Sequence, residues 1–526
     1  MLPVALIGLG LTVAVERLLV PRPALRRPAD CWLLHAGLWC VAFGLLYALT
    51  ARPLFSGVNV LLLWLLIVLV SNAKYHSLRE PFVCADFEYF SDAVKFPRLY
   101  LPFFGFGKAA LLAVGFLVYL WAGLSFEVAG ARLEALLPLA LGLGLLRLGH
   151  RPVKPSFDAE QDVRGWGLAA SLWRYFWAAR APVDRDGLGS PFAGVSVPAS
   201  ARAKPTPASA SGQPASQATA AQAGALPDLV SVQSESFFDV RGLWPGVRPQ
   251  VLDQYDLLAS QALARGKLQV AAWGANTVRT EFAYLTGIPA DRLGVHRFNP
   301  YRVLARQGLP SIASRLKAQG YRTICIHPYD GGFYGRNKVL PALGFDEFID
   351  VKAFNASQKA GPFIGDCAVA DKIRALLQAP GRTQPLFIHA VTMENHGPLH
   401  LESVAAHELP AWFDRPLQPG MKDLAPYVRH IGNADRMLGM LRDTLLAQPN
   451  EALLCFFGDH VPILPEVYQA VGAPAGDTDY LVWSNRRQPG CGAKPMPVQQ
   501  LPSTLLAHAL SPATCQDTPV ASAGVA

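Results

Sequence analysis

The chain has 526 residues, of which 51% are hydrophobic and only 16% charged, and its mean hydropathy is +0.22. That balance excludes an ordinary water-soluble enzyme. The net charge of +8 comes without the aromatic–basic interleaving of an RNA-binding surface, so we read it as Arg and Lys flanking apolar segments.

The apolar excess sits in the first 150 residues. Five runs, at 2–20, 31–49, 55–70, 105–126 and 133–148, each come near the roughly 20 residues that cross a bilayer. They have no polar face, which argues against a soluble helical bundle. The first lacks a basic start and holds Glu16-Arg17 late, so it reads as a retained helix rather than a signal peptide. A five-span transmembrane region over residues 1–150 is expected. Orientation is contested within the sequence itself. Arg17, Arg22, Arg26 and Arg27 flank the first connection, and Lys74, Arg79, Lys95, Arg98 and Lys108 the third. The positive-inside rule puts both, and with them the large C-terminal part, on the cytoplasmic side. The third connection is mixed, however, with Glu80, Asp86, Glu88 and Asp92.

Residues 151–196 read as a connector. In it, Trp166-Gly-Leu-Ala-Ala-Ser-Leu-Trp-Arg-Tyr-Phe-Trp177 suits a helix in the membrane interface, or a plain core helix. Residues 197–227 are rich in Ala, Ser and Pro. They cannot bury enough surface to offset ordering entropy and form a flexible linker. From 228 to 512 strand and helix signals alternate: strands at 229–233, 268–273, 323–326, 386–390 and 453–457, with helices at 251–264, 311–319, 367–378 and within 423–447. This order predicts one α/β domain with a mostly parallel sheet flanked by helices, followed by a C-terminal tail, 513–526. The cysteines are scattered. Cys325 and Cys455 fall in predicted buried strands, while Cys491 and Cys515 flank the last helix and could pair in an oxidising compartment.

Sites in such sheets collect beyond the carboxyl ends of the strands. Here those ends read Gln233-Ser-Glu-Ser236, Gly274-Ala-Asn-Thr-Val-Arg-Thr-Glu281, His327-Pro-Tyr-Asp330 with Tyr334-Gly-Arg336, Met393-Glu-Asn-His396 and Gly458-Asp-His460. Solvated turns favour Gly, Asn, Pro and Ser, not this set. Glu235, Asp459 and His460 offer oxygen and nitrogen ligands for a divalent metal. A Thr at a helix start could complete the shell and, with its proton more easily lost, act as nucleophile. Thr277 and Thr280 both fit that description, and either could simply be an N-cap.

In order and spacing, Ser234-Glu-Ser-Phe237, Asn276-Thr-Val-Arg-Thr-Glu-Phe282, Asn395-His396 and Phe457-Gly-Asp-His460 resemble the lipoteichoic acid synthase and phosphoglycerol transferase group of the sulfatase and alkaline phosphatase superfamily. Glu80-Pro81, Asp86 and Gln500-Leu-Pro-Ser-Thr-Leu-Leu506 extend the resemblance over nearly the whole chain. It implies a sulfatase-like catalytic domain and one divalent metal, Mn2+ before Mg2+ or Zn2+, on Glu235, Thr277, Asp459 and His460. It implies Thr277, rather than Thr280, as nucleophile. It implies a phosphoglycerol head group held by His327, Tyr334, Arg336 and His396, with His396 also placed to protonate the leaving alcohol. Tyr334 stands where lipoteichoic acid synthases carry Trp, and the family's acidic contact two residues after the His is here Tyr329, with Asp330 one position late. No cysteine has the Cys-x-Pro-x-Arg context of a sulfate-ester hydrolase.

The resemblance also implies an inner-membrane, multi-pass protein whose catalytic domain faces the periplasm or extracellular space, against the positive-inside count. The expected reaction moves phosphoglycerol from a phosphatidylglycerol-like lipid, through Thr277, to an envelope glycan or polymer, with no nucleic acid involved. A phosphoethanolamine transferase, a plain phosphodiesterase and an inactive envelope scaffold are the competing readings.

Overall fold

The computed structural model describes residues 1–87, 106–194, 226–490 and 492–510. The expected pairing of Cys491 with Cys515 and most of the expected linker lie outside these residues. The chain forms two compact units, Met1–Leu188 with Ala290–Pro300, and Gly189–Pro289 with Tyr301–Ala526.

In the first unit each predicted apolar run contains a helix: Leu2–Glu16, Ala29–Thr50, Pro53–Leu78, Phe106–Phe126 and Leu136–Gly149. Of these, Ala29–Thr50 and Pro53–Leu78 are long and apolar enough to cross a membrane. Leu2–Glu16 and the segment Val114–Phe126 are apolar but shorter, so among the described residues the five-span expectation narrows to two helices of sufficient length. Helix Pro53–Leu78 leaves Leu62, Leu63, Leu66 and Leu69 exposed, a surface that water does not suit. Helices Ala29–Thr50 and Leu136–Gly149 approach closely because Gly37, Gly44 and Gly142 stand at the contact. A Cβ on Gly44 would lie 2.8 Å from Leu139 Cγ, and one on Gly142 2.8 Å from the Val41 backbone nitrogen.

The stretch read as an interfacial or core helix forms the helix Leu168–Ala178, which Gly167, at φ +81°, separates from the preceding helix Ala159–Trp166. Its Arg174 is buried in an ion pair with Asp30 rather than reaching outward. Trp173 and Trp177 gather around His150. Val295 and Phe298, from the segment Ala290–Pro300, pack with Val83, Ala159 and Tyr175.

The second unit is built on an eight-stranded sheet in the order β10-β2-β9-β8-β1-β7-β3-β4. The strands are β1 Asp228–Ser234, β2 Ala264–Gln269, β3 Arg322–Ile326, β4 Glu347–Ile349, β7 Leu386–Val391, β8 Ala452–Gly458, β9 Thr478–Ser484 and β10 Met496–Pro497. A separate hairpin pairs β5 Lys359–Ala360 with β6 Phe363–Ile364. Every pairing in the large sheet is parallel except those of β9 with β2 and β8. The central strands β1, β7 and β8 are buried at every position, which is why β8 reads as a continuous apolar run and β7 nearly so. Strand β2 lies four residues earlier than expected. It is second from the edge and largely polar, so the apolar run after it misled the pattern. The long helix Leu424–Leu446 buries Leu424, Val428, Ile431, Leu438 and Leu445 in the main core with Val230, Leu454 and Phe456.

Candidate active site

Strands β1 and β8 run parallel, with Ser234 level with Gly458, so Glu235 and Asp459 leave the sheet side by side. Gly458 is the last residue of β8. It must be glycine because a Cβ there would sit 1.8 Å from the Phe237 carbonyl oxygen. The backbone of the β1 tip crosses directly over that of β8.

This crossing gathers Glu235, Asp459 and His460, all buried, with ligand atoms within 4.8 Å of one another. His460 Nε2 lies 3.5 Å from Glu235 Oε1 and 3.4 Å from Asp459 Oδ2. Its Nδ1 faces the Val461 carbonyl at 3.1 Å. That carbonyl can only accept, so Nδ1 carries a proton, and Nε2 is the ring nitrogen turned to both carboxylates. Asp459 Oδ1 accepts the Ser236 N–H at 2.8 Å, while Oδ2 is buried with no hydrogen-bond partner. Burial, then the charge of Glu235, pushes the Asp459 carboxyl up from its ordinary range. Three lone-pair donors converging in a buried space, one of them orphaned, fit a divalent cation. One nitrogen and two carboxylates suit Mn2+, Mg2+ or Zn2+.

Thr277 opens the helix Thr277–Thr286, after Asn276 in the left-handed region at φ +66°. Its Oγ1 lies 3.4 Å from Glu235 Oε2. Thr280 is wholly buried and donates its hydroxyl to the Asp459 carbonyl at 2.8 Å. The two threonines left open by the residue pattern therefore differ: one hydroxyl faces the carboxylates, the other braces the backbone that carries them. Ser236 at φ +54° and Tyr334 at φ +56° are further non-glycine residues in the left-handed region here, strain of the kind that collects at functional sites.

The second group of predicted residues follows β3 and β7. Arg336 is 1% exposed and grips Glu281, with Nη2 donating to Oε2 at 2.7 Å and Nε 3.2 Å from both oxygens. Tyr301 donates its hydroxyl to the same carboxylate at 2.7 Å. The guanidinium fork that sequence reading offered to phosphate is thus closed on Glu281. Its remaining Nη1 donates toward His327 Nε2 at 3.1 Å, and His327 Nδ1 donates to the Val391 carbonyl at 3.1 Å. Burial, then the charge of Arg336, holds His327 well below its usual range, so it is neutral. Tyr334 places its ring centroid 5.4 Å from Arg336 Cζ. Asp330 is exposed and uses Oδ1 to accept the Gly332 N–H at 2.7 Å, a local turn.

His396 is half-buried, edge-on to Phe363 at 5.4 Å, and its Nδ1 faces the Gly397 carbonyl at 2.8 Å. Donation there leaves Nε2 for proton transfer. Sequence reading assigned no role to several residues that shape the site. Thr392 Oγ1 accepts the Glu235 N–H at 3.0 Å, and Ser236 Oγ donates to Glu235 Oε1 at 3.0 Å. Glu281 neutralises Arg336, and Asn395 is 4% exposed with both amide atoms unpartnered. Glu281 was within reach, one helical turn after Thr277 in the same motif; Thr392 was not, because its partner lies 157 residues away.

The family model described as Sulfatase matches residues 227–511. A putative cyclic beta-1,2-glucan modification protein of Rhizobium meliloti (strain 1021) is 31% identical over 280 residues, covering 50% of this chain and 42% of that protein. The capsular polysaccharide biosynthesis protein RkpI of the same organism is 31% identical over 257 residues, covering 49% of this chain and 45% of RkpI. The chain thus matches less than half the length of either relative. Among solved structures, the Streptococcus pyogenes phosphoglycerol transferase GacH in complex with sn-glycerol-1-phosphate shares 21% identity over 55% of this chain and 76% of GacH, with a TM-score of 0.45. The lipoteichoic acid synthase LtaP from Listeria monocytogenes shares 20% over 53% of this chain and 71% of LtaP, with a TM-score of 0.42.

Proposed function

The chain belongs to the sulfatase family, and from that premise we propose that it is a membrane-anchored, metal-dependent phosphoglycerol transferase. The observation that carries the reading is the convergence of Thr277, at a helix start, on Glu235, Asp459 and His460. These four residues would hold the metal. A bound divalent ion would make the Thr277 hydroxyl easier to deprotonate and would stabilise charge on the transferring group.

Thr277 Oγ, deprotonated, attacks the phosphorus of a phosphatidylglycerol-like lipid. The bond from phosphorus to the diacylglycerol oxygen breaks, and that oxygen takes a proton from His396 Nε2. The backbone N–H groups at the start of Thr277–Thr286 face the phosphoryl oxygens. In the second step an acceptor hydroxyl gives its proton to His396, its oxygen bonds to phosphorus, and Thr277 Oγ leaves. His327 takes no part in proton transfer, because it is neutral and bonded through both ring nitrogens. Its place with Arg336 is in shaping the head-group end.

Two features bear on substrates. Glu281 is consumed by Arg336 and Tyr301. It is not left for an ammonium group, which supports glycerol over ethanolamine in the donor. The names of the two Rhizobium meliloti relatives concern a cyclic glucan and a capsular polysaccharide, which supports a glycan acceptor in the cell envelope. With a lipid donor and an envelope acceptor, membrane-spanning N-terminal helices and an outward-facing catalytic unit complete the proposal.

The test is Thr277→Ala with head-group-labelled phosphatidylglycerol. Release of diacylglycerol should fall by roughly 10^3-fold or more, as when a nucleophile is removed elsewhere. An unchanged rate would refute the assignment. Labelled phosphatidylethanolamine, supplied in parallel to the unaltered protein, should give no transfer.

A further inference from the structure

Two residues before His396 in the chain begins a second set of charged groups that the transfer steps leave unused. Glu394 is 1% exposed. Its Oε1 meets His430 Nδ1 at 2.8 Å and also accepts from Asn433 Nδ2, and its Oε2 accepts the Asp366 N–H at 2.7 Å. His430 Nε2 meets Glu402 Oε2 at 3.0 Å, and Arg429 Nη2 donates to the same oxygen at 2.8 Å. Burial alone would lower the His430 pKa, but a carboxylate on each ring nitrogen pushes it up to about 9. Two carboxylates, an imidazolium and a guanidinium sum to no net charge.

This layer floors a cleft of about 450 Å³ lined by Ala360, Gly361, Glu402, Ser403, Arg429 and Asn433. Glu402 Oε1 is buried there with no hydrogen-bond partner. Gly361, at φ +76°, is required where the β5–β6 turn lies on Glu402, since a Cβ would come 2.7 Å from Oε2. The hairpin links the cleft to the catalytic side. Ala360 and Gly361 face the cleft, while Phe363 meets the His396 ring at 5.4 Å and Tyr329 at 6.1 Å. Underneath, the buried carboxyl of Asp366 lies within the fields of both Glu235 and the Glu394–His430 pair.

We propose that this cleft is the acceptor subsite, and that it holds a neutral sugar ring beside His396. The inference rests on the transferase reading for its purpose, though not for its chemistry. An anion would find no net positive charge, because Arg429 is already bonded to Glu402 and to the Ser403 carbonyl. Ring hydroxyls find the complement they need: a carboxylate with an unfilled oxygen, and amide, hydroxyl and guanidinium groups that exchange hydrogen bonds with neutral partners.

The test uses the full chain in detergent with labelled phosphatidylglycerol and a β-linked gluco-oligosaccharide as acceptor probe. It reads how phosphoglycerol divides between oligosaccharide and water. Arg429→Ala and Glu402→Gln should each lower that ratio about 10-fold or more and raise the acceptor KM, the size expected for losing a hydrogen bond to a charged group, and Asn433→Ala, which loses a neutral one, should lower it about 5-fold. Arg429 and Asn433 are partly exposed, so their variants should melt normally even if Glu402→Gln does not. A second readout needs no turnover: saturation-transfer NMR of the oligosaccharide on the full chain, expected in the unaltered protein and lost in the variants. Folded variants with an unchanged ratio and unchanged saturation transfer overturn the subsite and leave the transferase reading standing. Oligosaccharide bound in the cleft without any phosphoglycerol transfer overturns that reading and keeps the subsite. Binding of sn-glycerol-1-phosphate in the cleft, in place of the oligosaccharide, overturns the subsite.

Discussion

At one end of the site Glu235 and Asp459 come together against an imidazole nitrogen, two hydroxyls and a backbone N–H, and one Asp459 oxygen is left without a hydrogen-bond partner. At the other end Glu281 is held by Arg336 and Tyr301, and Arg336 in turn by His327. Both ends are buried and both contain carboxylate and imidazole. We propose that the first is completed by a cation from outside; the second carries its own. A buried charge needs compensation wherever it lies, so the contrast separates the end proposed for the metal from the end proposed for the head group.

The sharpest way to break the contrast is at the compensated end. Glu281→Gln leaves a buried guanidinium without its carboxylate, which should cost about 3–5 kcal/mol of stability. Urea denaturation should show this loss, and added Mn2+ should not restore it. The uncompensated end should behave in the opposite way. Adding Mn2+ at about 100 times its Kd should stabilise the unaltered protein by about 2.7 kcal/mol, and chelation should remove both that gain and the activity. In metal-free protein, Asp459→Asn should be neutral or slightly stabilising, by up to about 1 kcal/mol, because it removes a carboxylate whose pKa burial, and then the charge of Glu235, raises. A clear loss of metal-free stability on Asp459→Asn would show that this end too is internally satisfied.

His430 offers a pH test of self-compensation. Its folded pKa of about 9 lies above its ordinary 6.5. The stability it contributes is therefore fully present below about pH 6.5 and is lost as pH rises through 9. Between those limits the protein should lose about 3 kcal/mol, and His430→Gln should flatten the slope. A flat profile in the unaltered protein would mean that Glu394 and Glu402 do not hold the proton.

The sequence made the uncompensated end visible and hid the rest for identifiable reasons. Leu453–Phe457 and Leu229–Gln233 are apolar because they are buried on both faces, so the residues after them could be read as strand tips. Thr277 and Thr280 could not be separated by pattern, since the difference lies in which atom of a distant segment each hydroxyl meets. Arg336 looked free because its partner Glu281 is 55 residues away. The Glu394–His430–Glu402 layer joins a strand tip, a loop and the middle of the helix Leu424–Leu446, with no local spacing to announce it. Strand β9 has an apolar centre, Tyr480-Leu-Val-Trp483, and belonged among the predicted strands. The transmembrane count rested on composition, which fixes where apolar helices are but not that each is long enough to span.

The central claim is that the metal corner exists to make Thr277 a nucleophile. Its most direct test is peptide mapping of the full chain quenched during turnover with head-group-labelled phosphatidylglycerol. A phosphoglyceryl ester on Thr277, absent after chelation, is the expected result. Label on Thr280 or on any other residue, or full turnover with no covalent label, would contradict it.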